Sequence, residues 1–280
     1  MRSLDHESVL ELLPNRKLNT HKGHYGKLLL LCGSKGYTGA AALAAMGALR
    51  AGAGLVYLGV PKAIYEIEAI KLLEPIVFPL PDFDGKFSED CIYDVIASLK
   101  DKDAVLIGPG IGKSEGTYKT VKAVLENFCG PVVLDADGIN VICQHKDVIR
   151  ERTSPTILTP HEGEFERIYG KIDTDRVTCA NLLAKELQCV VLLKGNQSII
   201  TDGRTTFLNP TGNPGMAVGG SGDVLAGIIT ALLGQGLPAL DAAACGAWLH
   251  GAAGDICAKE IGQYGMLPSD ILLVLPRLLK

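Results

Sequence analysis

Seven short apolar runs dictate what this chain can fold into. They lie at residues 28–32, 55–60, 76–78, 104–107, 132–134, 156–158 and 190–193, are rich in Val, Ile and Leu, and are bounded by Gly, Pro or Asp. Such runs suit strands buried on both faces, as in a parallel sheet. Helical patterns occupy the spaces between them, at 40–51, 63–73, 89–99, 115–127, 162–169 and 176–187, after an opening helix at 4–13. This alternation predicts an α/β fold: a doubly wound, mainly parallel sheet with helices on both faces, built as one domain over residues 1–280. The last third breaks the rhythm. Residues 198–201 and 205–208 flank Asp202-Gly203-Arg204, a hairpin signal. A loop at 209–218 leads to helices at 223–233, 240–259 and 269–275.

Composition narrows the functional classes. With 47% hydrophobic and 21% charged residues, the 280-residue chain can bury a sizeable core. The net charge of −4, without a run of Lys or Arg, argues against nucleic acid as a partner. The weakly polar stretch 39–60 contains Arg50 and several glycines and reads as a helix plus a strand, so no membrane association is expected. Met1 to Glu7 carry no apolar leader segment, and the eight cysteines form no CxxC pair. Buried, reduced thiols and a cytoplasmic location are the expectation.

Ligands bind at the carboxyl ends of strands in open parallel sheets. The polar and glycine-rich switches fall there: Gly33-Ser34-Lys35-Gly36, Gly108-Pro109-Gly110, Asp135-Ala136-Asp137-Gly138, Thr159-Pro160-His161 and Lys194-Gly195-Asn196. The strongest segment is Gly219-Gly220-Ser221-Gly222-Asp223, which runs straight into an apolar helical pattern. Glycines let the backbone approach a ligand closely, and the N–H groups of a first helical turn, with the helix dipole, make an anion hole for phosphate. Asp223 lies within that turn. A carboxylate there can take the proton of a hydroxyl that attacks a terminal phosphate. Phosphoryl transfer is the chemistry this pattern suits.

On these residues the chain resembles the ribokinase-like enzymes, and more closely the ADP/ATP-dependent NAD(P)H-hydrate dehydratase family. Six segments carry the resemblance in order: 22–39, 108–112, 135–140, 159–164, 193–195 and 213–227. It looks like the form that stands without the epimerase domain to which such dehydratases are often fused. The resemblance implies nicotinamide nucleotide repair, in which the C6 hydroxyl of an NADH or NADPH hydrate is phosphorylated from ADP or ATP and lost as phosphate. It implies Asp223 as catalytic base, with Gly220, Ser221 and Gly222 holding the charge of the transferred group. Ala40, Gly110 and His161 would contact the dinucleotide, and Glu164 would lie nearby. Lys194, Gly195, Asn196, Gln197 and Ser198, with Gly222, would contact the adenine nucleotide. Mg²⁺ would accompany the phosphates, with Asp135, Asp137 and Asn140 as candidates to organise its water; no motif names direct metal ligands. A homo-oligomer is implied, with a tetramer among its forms.

Two other readings share parts of this pattern. A vitamin-precursor kinase such as a hydroxyethylthiazole kinase would share the anion hole and the base, but the segments at 33–40 and 159–164 argue against it. A nucleotide-binding sensor would not need Asp223 beside the cradle. A dinucleotide-binding dehydrogenase fits poorly, because the glycines after the first strand fall at 33, 36 and 39 and miss the GxGxxG spacing.

Overall fold

The computed structural model describes residues 2–172 and 174–280. Its strands are β1 (Lys27–Leu31), β2 (Leu55–Pro61), β3 (Ile76–Leu80), β4 (Asp82–Phe83), β5 (Lys86–Phe87), β6 (Ala104–Ile107), β7 (Val132–Leu134), β8 (Thr156–Leu158), β9 (Val190–Leu193), β10 (Ile199–Thr201) and β11 (Thr206–Leu208). Its α-helices are α1 (His6–Leu12), α2 (Thr38–Arg50), α3 (Lys62–Lys71), α4 (Ile92–Ser98), α5 (Glu115–Asn127), α6 (Asp137–Ile142), α7 (Asp147–Arg150), α8 (Glu162–Ile168), α9 (Arg176–Leu187), α10 (Ser221–Gly234), α11 (Ala239–Glu260) and α12 (Pro268–Val274).

Nine strands form one sheet in the order β11-β10-β9-β8-β7-β6-β1-β2-β3. All neighbours pair in parallel except β9–β10 and β10–β11, the terminal hairpin. Strand order reverses at β1: β2 and β3 extend to one side and β6 to β9 to the other. That reversal leaves a crevice between the carboxyl ends of β1 and β6. There Gly33 N–H donates to the Pro109 carbonyl at 2.8 Å, and Ser34 Oγ donates to the Gly110 carbonyl at 2.6 Å.

The apolar strands divide their side chains between two cores. Leu28 and Leu30 join α2, α10 and α11 on one face; Leu29 and Leu31 join α5, α8 and α9 on the other. The first layer is rich in Ala and Gly, so its helices approach closely. A Cβ on Gly227 of α10 would lie 2.1 Å from the Ala44 carbonyl oxygen of α2, and one on Gly47 would lie 2.7 Å from the Val224 carbonyl oxygen. This contact sets the amino ends of α2 and α10 side by side above the sheet.

The expected strands and long helices are present, with ends shifted by a few residues. Several features lie outside the sequence reading. A small β4–β5 hairpin caps the end of β3, short helices α6 and α7 follow β7, and the expected helix at 89–99 opens as a 3₁₀ turn (Glu89–Cys91) before α4. All eight cysteines are free; six are buried, Cys143 is half-buried and Cys129 is exposed. Among the described residues, no helix is long and apolar enough to cross a membrane.

Candidate active site

The glycine-rich turn ends in a helix start whose positions 219, 220 and 222 carry no side chain. Gly220 takes φ +98° as the residue before α10, and a Cβ there would also lie 2.4 Å from Leu43 Cδ1. Only glycine satisfies both conditions. A Cβ on Gly219 would meet nothing within 4 Å, and one on Gly222 would meet only Lys194 Nζ, at 3.3 Å. Ser221 N–H donates to the Val218 carbonyl at 3.3 Å, and the first turn of α10 at Gly222 opens onto a space whose far side is an ammonium.

That ammonium is fixed from below. Lys194 Nζ donates to Asp135 Oδ1 at 2.8 Å and lies 4.0 Å from Glu164 Oε2. Asp135 Oδ1 also accepts from Thr159 Oγ1 at 2.7 Å. Asp135 and Glu164 are buried, at 1% and 4% exposure. Burial alone would depress the Lys194 pKa, but Asp135 and Glu164 raise it above the ordinary lysine value, so Lys194 stays charged.

Asp223, in the first turn of α10, behaves differently. Burial pushes its pKa up to about 7; Asp135 and Glu164 add to the rise, while Lys194 opposes it. A carboxylate poised near neutrality accepts a proton more readily than one left at its usual value.

The other expected residues fall into four clusters. Ala40 and Gly110 meet: a Cβ on Gly110, which has φ +64°, would lie 2.7 Å from Ala40 Cβ and 3.0 Å from Tyr37 Cβ. His161 caps α8, its Nδ1 accepting from Glu164 N–H at 3.3 Å, while its own N–H donates to Glu164 Oε2 at 3.0 Å. Its Nε2 lies 3.3 Å from Glu164 Oε1. Lys194, Gly195, Asn196, Gln197 and Ser198 form the β9–β10 turn. Ser198 Oγ donates to the Gly195 carbonyl at 3.1 Å, and Arg176 donates to the Lys194 and Asn196 carbonyls at 3.1 and 3.0 Å. The side chains of Asn196 and Gln197 are exposed. Asp137 and Asn140 form a turn network: Asp137 accepts from Gly112 N–H and Asn140 Nδ2, and Asn140 Oδ1 accepts from Arg167.

Two supports of the cradle were missed from sequence. His250 of α11, 7% exposed, places Nε2 3.4 Å from Ser221 Oγ; burial and then Lys194 push its pKa down to about 4, so it stays neutral. Asp255, little more than a turn further along α11, accepts from Gly212 N–H and Asn213 Nδ2, both at 3.0 Å, and pins the loop that feeds the cradle. The available signal was a pair of ionisable residues in the otherwise Ala- and Gly-rich segment His250-Gly251-Ala252-Ala253-Gly254-Asp255.

The sequence profile of the NAD(P)H-hydrate dehydratase family matches residues 28–277. The chain belongs to this family. It is 45% identical over 275 residues to the bifunctional NAD(P)H-hydrate repair enzyme of Moorella thermoacetica, covering 96% of this chain and 52% of that protein. The chain thus spans about half the length of the curated relatives it matches. Among solved structures it resembles the ADP/ATP-dependent NAD(P)H-hydrate dehydratase of Bacillus subtilis, co-crystallised with ATP and Mg²⁺, at 32% identity and a TM-score of 0.84, covering 98% of this chain and 96% of that one. A ribokinase-like superfamily protein of Enterococcus faecalis superposes with a TM-score of 0.88 at 27% identity, over 99% and 94% of the two chains. The fold is ribokinase-like, as the resemblance in sequence implied.

Proposed function

We propose that this site dehydrates the C6 hydrate of NADH or NADPH at the expense of ADP or ATP. The observation that carries the reading is Asp223, poised at about 7, in the first turn of a helix whose Gly222 lies against the Lys194 ammonium. The adenine nucleotide would lie along Lys194, Gly195, Asn196, Gln197 and Ser198, with its terminal phosphate against Gly220, Ser221, Gly222 and Lys194. The hydrate would enter over Ala40, Gly110 and His161 and bring its hydroxyl to Asp223. Asp223 takes the hydroxyl proton as the oxygen bonds to phosphorus and the bond to the nucleotide leaving group breaks. The first-turn N–H groups and Lys194 stabilise the charge that develops on the phosphoryl oxygens. The C6–O bond then breaks, inorganic phosphate departs, a proton leaves the adjacent carbon, and the ring regains its double bond.

The donor set fits a hydrated magnesium ion. Asp135, Glu164 and Asp223 give three carboxylates to the single ammonium of Lys194, a surplus of negative charge. Among the described residues no group of three or more His, Cys, Asp or Glu forms a cage. Asp135 and Glu164 would hold water ligands of an ion carried in by the phosphates. Bound there, Mg²⁺ would neutralise phosphate charge. The proposed setting is the cytoplasm, in keeping with eight free thiols. A homo-oligomer is the proposed assembly, and the exposed Ile67 and Ile70 of α3 with the adjoining Leu73 suit such a contact.

The test is to follow the absorbance of the reduced nicotinamide ring as the protein acts on NADH hydrate with Mg²⁺ and ADP, ATP or neither. We expect a nucleotide-dependent rise with release of inorganic phosphate. Accumulation of a phosphorylated organic product in place of phosphate would instead favour the vitamin-precursor kinase, which shares Asp223 and the cradle but stops after transfer.

A further inference from the structure

A continuous wall leads away from Asp223, each step fixed by a close contact. Gly220 abuts Leu43, one turn along α2 from Ala40; Ala40 and Tyr37 abut Gly110; and Ser34 Oγ holds the Gly110 carbonyl. The next residue, Lys35, donates its N–H to the Gly85 carbonyl of the β4–β5 hairpin at 3.0 Å. From that hairpin the Lys86 side chain crosses Gly112, its Cε 3.0 Å from where a Cβ would stand, and Nζ ends 3.5 Å from the Lys113 carbonyl. The far end of the wall thus gathers Lys35, Lys86 and Lys113.

Among the described residues these three cations are not ion-paired, whereas Lys119, Lys122, Lys146 and Lys194 each reach a carboxylate. The nearby carboxylates are engaged elsewhere. Asp82 accepts from Ala63 and Gly85 N–H groups at 3.1 and 2.9 Å, and Asp137 from Gly112 N–H and Asn140 at 3.1 Å each. Asp84, at the exposed hairpin tip, pairs with none of the three. Gathered like charges of this kind favour a bound anion. Tyr37, 63% exposed, stands on the wall between them and Ala40.

We propose that Lys35, Lys86 and Lys113 form a subsite for a phosphate of the dinucleotide substrate, whose nicotinamide end reaches Asp223. The inference rests on the dehydratase reading and deepens it. A dinucleotide offers phosphate from two sources: the pyrophosphate, present in both hydrates, and the 2′-phosphate, present only in that of NADPH. Lysine ammoniums suit either as point charges.

The experiment compares Lys35→Gln, Lys86→Gln and their double variant with wild type, with Lys86→Arg to restore charge and Lys122→Gln on α5 as a distant control. KM is measured for both hydrates, and NADH and NADPH binding by calorimetry. We expect KM to rise about tenfold for a lost charged contact, with recovery in Lys86→Arg and no change in Lys122→Gln. A rise for both hydrates assigns the subsite to the pyrophosphate, and a rise for the NADPH hydrate alone assigns it to the 2′-phosphate. Unchanged KM and unchanged affinities in the double variant would overturn the subsite. A wild-type protein inert toward both hydrates would overturn the dehydratase reading alone, since calorimetry needs no turnover.

Discussion

Asp223 and Lys194 show what a residue's neighbours do to its chemistry. Both sit beside Asp135 and Glu164, yet those two carboxylates hold Lys194 charged, whereas burial first, and then the same carboxylates, make Asp223 reluctant to ionise. Replacing Asp223 by Asn keeps the shape and removes the base. Steady-state kinetics should show kcat lower by about 10²–10⁴-fold, the range of general-base contributions, with KM changed far less. A variant that keeps wild-type kcat would remove Asp223 from the mechanism. Asp223 was legible in the sequence because the glycines before it announce a phosphate cradle. The Asp135–Lys194 pair was not, since 59 residues separate its members and only the sheet brings β7 and β9 together. His250 and Asp255 were hidden for a related reason: they lie in a helix whose composition reads as core.

At the scale of elements, the cradle depends on how closely α10 lies against α2. A Gly227→Ala substitution puts a methyl group 2.1 Å from the Ala44 carbonyl oxygen, a backbone atom that cannot rotate away. Overpacking costs about 1–3 kcal/mol, against which the helix propensity of Ala returns about 1 kcal/mol. Thermal unfolding should show a lower Tm, and kcat should fall with it because the shifted α10 carries Asp223. An unchanged Tm would mean that the two helices separate at no cost. The strands and long helices were readable because a buried parallel strand needs an uninterrupted apolar run and a helix needs its 3.6-residue period. The β4–β5 hairpin has strands of two residues each, too short for any period, and it is held by contacts to Lys35 and Gly112 that lie far away in sequence. Helices α6 and α7, of six and four residues, escape for the same reason.

For the molecule as a whole, the Asp223 shift ties activity and stability to pH in opposite directions. Asp223 must be ionised to take a proton, so kcat/KM should climb with pH and level off above about 7, while Lys194 stays charged and His250 neutral. The same shift acts on folding. The Asp223 pKa is raised from 3.8 to about 7 in the folded state, so the folded chain holds a proton that the unfolded chain releases between those values. Its contribution to stability is fully present below 3.8 and is lost as pH rises through 7. His250 runs the other way: its pKa falls from 6.5 to about 4, so its contribution is present above 6.5 and is lost as pH falls through 4. Measured from pH 4 to pH 8, the Tm of Asp223→Asn should gain on that of wild type as pH rises, and the gap should stop widening above about 7. A constant gap across that window would show that Asp223 does not titrate within it. The loss of stability and the expected gain of activity then come from one event, the ionisation of a carboxylate that the fold disfavours and the proposed mechanism requires.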